Sequence, residues 1–264
     1  MKVIPKKRYG QHFLRDENTA RKIVGLVNRN YPAILEIGPG TGVLSKYLLQ
    51  DPLLDPFFME VDRESVDFLL NTYPSISSRL VFADFLEYDL SLFSPGTPKF
   101  TIIGNFPYNI SSQILFRVLE FRERIPEVIG MFQKEVAMRI AAPPGSKTYG
   151  ILSVILRAFY DIEYLFTVNE SVFYPRPKVK SAVIRLKRNS TLKLDCDEIL
   201  FFHVVKTAFN QRRKTMRNSL KKLIPPGTHS CSPLLIKLLT LRPEQLTVSD
   251  FVAITVAVKA NFQK

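Results

Sequence analysis

The sequence predicts an α/β fold: a mostly parallel sheet wrapped by helices, followed by a small all-α domain. Three observations carry that expectation. From about residue 31 to residue 133, apolar runs of strand length alternate with helical patterns, which is the mark of β-α-β units. The 264 residues are 46% hydrophobic and 23% charged, enough to bury one large core and a smaller one. After a polar stretch at residues 187–195, only helical patterns remain.

Strands are expected at residues 34–37, 57–61, 80–84, 100–104 and 128–132, and helices at 43–49, 64–70 and 111–120. In the last of these, Ile114, Leu115, Val118 and Leu119 recur at the three- and four-residue spacing of one helix face. Ligands of such sheets bind at the carboxyl ends of the strands. The distinctive polar positions Gly38, Glu60, Asp84 and Asn105 fall there. Residues 151–159 read as a helix, and residues 163–168 and 181–186 as an antiparallel pair of late strands closing the sheet. Between that pair lies a stiff aromatic-basic loop, Phe173-Tyr174-Pro175-Arg176-Pro177-Lys178. Helical patterns at 198–210, 215–223, 234–239 and 248–260 complete the chain. The expected domains are residues 1–188 and 189–264.

Lysine and arginine number 37 against 24 acidic residues, a net charge of +13, and the last quarter of the chain carries a large share of it. Clustered cations bind phosphates with counterion release, so a polyanionic partner is expected. The basic N-terminus lacks an apolar stretch after it, and no apolar run reaches membrane-spanning length. The two cysteines, Cys196 and Cys231, are far apart, and His12, His203 and His229 are scattered. A reducing, cytoplasmic setting without disulfides or a metal is the expectation.

Residues 101–108 read as a buried strand ending in an amide, a proline and an aromatic. Asn105 offers a carbonyl oxygen to an N–H. Pro107 biases Phe106 toward extended backbone, which turns carbonyls outward. Tyr108 offers a ring on which a base can stack, worth roughly 1–3 kcal/mol. The set suits chemistry on a nucleobase with an exocyclic amine.

The turn after the first strand, Glu36-Ile37-Gly38-Pro39-Gly40-Thr41-Gly42, admits two readings. It departs from the dinucleotide fingerprint G-x-G-x-x-G, because position 43 is Val. It resembles throughout the E-x-G-x-G-x-G pattern of class I S-adenosylmethionine-dependent methyltransferases. Glu60, ending the second strand, suits ribose hydroxyls in either reading. Two carboxylate acceptors fit a neutral diol and offer nothing to an extra phosphate. Asp84 can accept from an adenine amine while Phe85 lies against the ring.

Seven stretches occur in order: Gly10 to Leu14, the turn at residues 36–42, Glu60-Val61-Asp62, Asp84-Phe85, Asn105-Phe106-Pro107-Tyr108-Asn109, residues 173–179 and Phe209-Asn210-Gln211-Arg212-Arg213-Lys214-Thr215. Together they resemble the rRNA adenine N6,N6-dimethyltransferase family, specifically its small-subunit branch, over almost the whole chain. His12 stands where many members have Asn, and Phe106 where Leu is usual. The resemblance implies a class I methyltransferase (Rossmann-like) sheet binding S-adenosylmethionine, with His12, Leu14, Gly38 and Gly40 covering the cofactor together with Glu60, Asp84, Phe85 and Asn105. It also implies dimethylation of two adjacent adenines in the 3′ hairpin loop of small-subunit rRNA, within a partly assembled particle, by a monomer.

In the expected mechanism, Asn105 and the Phe106 backbone carbonyl accept the two N–H bonds of the amine, while Tyr108 and Phe173 stack on either face of the base. The expected RNA surface comprises Arg176, Lys178, Lys180, Arg185 and Lys187, with Lys206, Arg212, Arg213, Lys214, Arg217, Lys221 and Lys222. The alternatives are a resistance-type large-subunit rRNA methyltransferase, which shares the catalytic half, and a non-catalytic ribosome-assembly factor. The basic C-terminal helices argue against the first, and intact Glu60, Asp84, Asn105 and Tyr108 against the second.

Overall fold

The computed structural model describes residues 3–93, 96–224 and 232–262. Its strands are β1 (Phe13–Leu14), β2 (Ala33–Ile37), β3 (Asp55–Glu60), β4 (Leu80–Phe82), β5 (Thr101–Asn105), β6 (Glu127–Gln133), β7 (Tyr160–Val168), β8 (Phe173–Tyr174) and β9 (Ser181–Arg188). Its α-helices are α1 (Glu17–Gly25), α2 (Val43–Gln50), α3 (Arg63–Thr72), α4 (Ser111–Glu120), α5 (Lys134–Ala141), α6 (Ile151–Arg157), α7 (Glu198–Asn210), α8 (Met216–Ser219), α9 (Pro233–Thr240) and α10 (Val248–Phe262).

Seven strands form one sheet in the order β4-β3-β2-β5-β6-β9-β7. β2 to β6 pair in parallel, and β9 runs antiparallel to β6. Every residue of β2 is buried, which is why its apolar run does not alternate. From β2 the chain winds outward to β3 and β4, then returns to lay β5 on the other side of β2. That reversal opens a crevice beyond the carboxyl ends of β2 and β5. Gly38 and Asn105 stand at its two sides.

The chain divides into two compact units, residues 1–137 with 162–188, and residues 138–161 with 189–264. A boundary at 188 alone therefore misplaces residues 138–161, which group with the later helices. The helix α5, which straddles the boundary at residue 137, is also absent from the sequence expectation. It follows β6 without an intervening residue, so nothing in the sequence marks where the strand ends and the helix begins.

In the helical unit, α7 buries Phe201, Val204, Val205 and Ala208, the i, i+3, i+4, i+7 stripe of an amphipathic helix. The Asp197 side chain caps it by accepting from the Leu200 N–H. Phe209 meets the rings of Tyr149 and Phe251 at 6.1 and 6.0 Å between centroids. α8 is much shorter than the expected 215–223. Its last turn closes on Leu220, and Ile224 precedes two prolines that disfavour helical backbone there. Cys231 and His229 lie outside the described residues.

One detail of the sheet positions the site. Gly104 of β5 lies opposite Gly130 of β6. A Cβ on Gly130 would stand 2.5 Å from both the Phe106 and Phe132 rings, and one on Gly104 would stand 2.7 Å from Phe106 and from the Ile37 carbonyl oxygen. The paired glycines thus form a slot for the fully buried Phe106 ring, edge-on to Phe132 at 5.2 Å. Filling it forces rings out of a packed core. Gly130→Ala is expected to cost about 1–3 kcal/mol in a denaturant titration, and adding Phe106→Leu is expected to recover part of that loss.

Candidate active site

Within the sheet unit a cleft of about 310 Å³ opens over the carboxyl ends of β2, β3, β4 and β5. Its walls include His12, Gly38, Gly40, Glu60, Asp84, Phe85, Asn105, Phe106 and Tyr108. All but two of the residues expected at the cofactor and base therefore meet in one cavity.

Gly40 has a φ of +57°, and a Cβ there would meet the Phe13 ring at 2.8 Å. Only glycine satisfies both the left-handed backbone and that approach. The Gly40 N–H donates to Glu60 Oε2 at 3.0 Å, and the Val61 and Asp62 N–H groups donate to Oε1 at 3.0 and 2.9 Å. Burial pushes the Glu60 carboxyl above its ordinary pKa, and the three N–H groups oppose that push. Asp84 accepts from the Leu86 N–H at 2.8 Å through one oxygen. Its other oxygen makes no hydrogen bond among the described residues. Phe85 is buried beside it.

The Asn105 amide nitrogen donates to the His12 carbonyl oxygen at 2.7 Å. That contact fixes the side chain and leaves its Oδ1 without a partner among the described residues. The Phe106 N–H is held by the Met131 carbonyl at 3.2 Å, and among the described residues nothing donates to the Phe106 carbonyl oxygen. Two free acceptors thus follow one another along the chain at the end of β5. Tyr108 shares a proton with Ser181 Oγ at 2.6 Å, and its ring stacks on His12 at 5.3 Å between centroids. Burial raises the pKa of its hydroxyl. His12 Nδ1 donates to the Pro175 carbonyl oxygen at 2.7 Å.

Two expected site residues are placed elsewhere. Phe173 is 4% exposed and belongs to the apolar core of the sheet unit, not to the cleft. It pairs with Leu14 across β1 and β8, and alternation along β8 turns it inward. Leu14 joins the same core and borders a separate small crevice with Gly38 and Pro39.

The sequence expectation also lacks the anchor of the N-terminal segment. Asp62, 1% exposed, accepts from Lys6 Nζ at 2.5 Å and from Gln11 Nε2 at 3.2 Å. Burial would raise its pKa, but these partners outweigh it and hold the carboxyl below its ordinary range. A second acid two residues past a strand-end acid, Glu60-Val61-Asp62, was the available signal.

The basic residues separate into two kinds. Arg185 is enclosed between Glu127 and Glu163, each at 3.4 Å, and donates to the Leu26 carbonyl. Lys187 pairs with Glu163 at 3.1 Å. Both serve the fold, because their side chains satisfy acids beside them. Arg176, Lys178 and Lys180 are exposed in the sheet unit, and Arg212, Arg213, Lys214, Arg217, Lys221 and Lys222 in the helical unit. Arg176 pairs with Glu170, and Arg212 bonds the Lys147 carbonyl. Among the described residues, no ion pair engages the other seven. No group of three or more His, Cys, Asp or Glu among the described residues is placed to hold a metal, and no helix there is long and apolar enough to cross a membrane.

Residues 4–240 match the family model for ribosomal RNA adenine dimethylase. The chain belongs to that family. It is 54% identical over 256 residues to ribosomal RNA small subunit methyltransferase A of Cytophaga hutchinsonii, covering 96% of this chain and 97% of that one. The protein of the same name from Flavobacterium johnsoniae is 52% identical over 261 residues, covering 98% of each. Among solved structures, a dimethyladenosine transferase from Plasmodium falciparum superposes with a TM-score of 0.75 at 22% identity, covering 95% of this chain and 98% of that one. The 23S rRNA methyltransferase ErmE gives 0.69 at 25% identity, covering 92% and 99%. The dimethylase has the fold of the class I S-adenosylmethionine-dependent methyltransferases, with a helical C-terminal part.

Beneath the glycine turn the dimethylase buries a second carboxyl. Glu36 accepts from Ser45 Oγ at 2.7 Å, and burial, aided by the nearby Glu60 charge, pushes its pKa up to about 8. The folded chain then holds a proton that the unfolded chain releases above about pH 4.5. Because the native state binds more protons, stability falls as pH rises through the window from about 4.5 to about 8. Glu36→Gln is expected to flatten that decline in thermal melts recorded across pH 5 to 9. A mutant curve parallel to wild type would show Glu36 to be ionised throughout.

Proposed function

We propose that this dimethylase transfers methyl groups from S-adenosylmethionine to N6 of two adjacent adenines in the 3′ hairpin loop of small-subunit rRNA. It acts as a cytoplasmic monomer on a partly assembled subunit. The observation that carries the chemistry is the pair of free acceptors, Asn105 Oδ1 and the Phe106 carbonyl oxygen, on consecutive residues that line the cleft. The choice of small over large subunit rests on the relatives: those more than half identical carry the small-subunit name, whereas the 23S enzyme is 25% identical.

The residues present fit the cofactor. The free oxygen of Asp84 and the ring of Phe85 suit an adenine, Glu60 suits a ribose diol, and the Gly38–Gly40 turn leaves room for a ligand against the backbone. When bound, S-adenosylmethionine supplies an electrophilic methyl group. The chain prepares the amine. An adenine N6 is a poor nucleophile, because its lone pair is delocalised into the ring. Asn105 and Phe106 accept its two N–H bonds, favour a pyramidal nitrogen and stabilise the positive charge that develops on it. Both acceptors are held rigidly, Asn105 by His12 and Phe106 by its ring in the glycine slot. No strong base is needed, since the proton becomes acidic once the methyl has arrived. His12 covers one face of Tyr108, so the base stacks on the other. To reach it the adenine leaves its own stack.

The exposed cations of both units contact phosphates, which fix position without reading sequence. Recognition then rests on RNA shape and an open loop.

Asn105→Ala is expected to lower kcat by about 10²–10³ in methyl transfer to small subunits lacking the modification, with cofactor affinity changed only a few-fold. Retention of most of the kcat would remove Asn105 from the mechanism. Binding to the particle is expected to weaken with salt, and replacing Arg213 and Lys214 by Gln to reduce the slope of log K against log salt by about 0.7–0.9 per charge. A filter-binding series at several salt concentrations reads this directly.

A further inference from the structure

We infer that Tyr174 and Arg15 form a stacking platform for an RNA base next to the one held in the cleft, a reading that rests on the proposed RNA substrate. Tyr174 is 42% exposed, and the Arg15 guanidinium lies 4.2 Å from its ring centroid. Neither side chain is used by the fold in any other way. Among the described residues the Tyr174 hydroxyl makes no hydrogen bond, and no carboxylate pairs with Arg15.

The strand register directs this pair toward the active site. Tyr174 lies directly opposite Phe13 in the antiparallel β1–β8 pair, and directly opposed residues place their side chains on one face. The Phe13 ring reaches Gly40 in the cleft. The next residue, Pro175, gives its carbonyl to His12, which stacks on Tyr108. The platform therefore adjoins the wall that receives the target base.

Its surroundings select the ligand. Arg176, Lys178 and Lys180 are exposed on the same short stretch. An aromatic ring and a guanidinium plane bordered by cations suit a base stacked with its phosphates held alongside, a sequence-tolerant mode. An acidic peptide would use the cations but leave the ring face unemployed.

The test is methyl transfer by the full chain to small subunits lacking the modification, with cofactor affinity measured separately by calorimetry. Tyr174→Ala is expected to raise the KM for subunits about tenfold, with kcat and cofactor affinity within about twofold of wild type. Arg15→Gln should raise KM by a smaller factor, and Tyr174→Phe should restore the wild-type KM. A KM unchanged in Tyr174→Ala overturns the platform. So does a cofactor affinity that falls in step with KM, because that would make the β1–β8 pair a structural support for His12. Wild-type protein that transfers no methyl to these subunits overturns the proposed substrate, and the platform with it.

Discussion

The site depends on a ring held in a gap. In the proposed mechanism Phe106 acts through its backbone alone, and that backbone is anchored by a side chain packed between Gly104 and Gly130. Two missing side chains on neighbouring strands create the volume, and one large apolar group fills it. Such packing has a steep, short-ranged cost for displacement. The turn carrying Phe106 and Tyr108, which follows Asn105 at the end of β5, therefore inherits the rigidity of the sheet although it lies outside it. Preorganised acceptors need no reorganisation when charge develops on a substrate, which is where most electrostatic catalysis originates.

A second constraint comes from the chain's start. Lys6 and Gln11 tie the N-terminal segment to buried Asp62, and this brings His12 and Phe13 over the glycine turn. His12 then does three things: its carbonyl fixes the Asn105 amide, its ring covers Tyr108, and its Nδ1 reaches Pro175. One residue thus links the end of β5, the Tyr108 ring and the segment after β8. An Asn at position 12 could not make this ring contact with Tyr108, so this part of the wall depends on the imidazole itself.

Much of this was legible beforehand, and for definite reasons. The parallel sheet announces itself by continuous apolar runs, and strand ends are where a polar residue cannot be a packing choice. Hence Glu60, Asp84 and Asn105 could be read directly. The failures share a different cause. Phe173 and Tyr174 are adjacent aromatics in a two-residue strand, and which one faces inward is decided by pairing with β1, not by either residue. Arg185 looks like its neighbours in a basic run, but only the register of β9 against β6 reveals its enclosure by Glu127. The grouping of residues 138–161 with the later helices is likewise a long-range outcome. Local pattern specifies elements, while partners across the sheet specify which side chains remain available.

The contacts that complete the cleft join residues remote in the chain. His12 meets Pro175 across 163 positions, Asn105 meets His12 across 93, and Tyr108 meets Ser181 across 73. Closing such long loops is entropically expensive and slow. During synthesis, the glycine turn and the strands around it can pair well before residue 181 emerges, yet Tyr108 has no hydroxyl partner and His12 no carbonyl to hold until then. The contact that completes the wall at Tyr108 consequently needs β9 in place. A chain truncated before β9 would keep every residue expected at the cofactor and still lack the Ser181 partner of Tyr108.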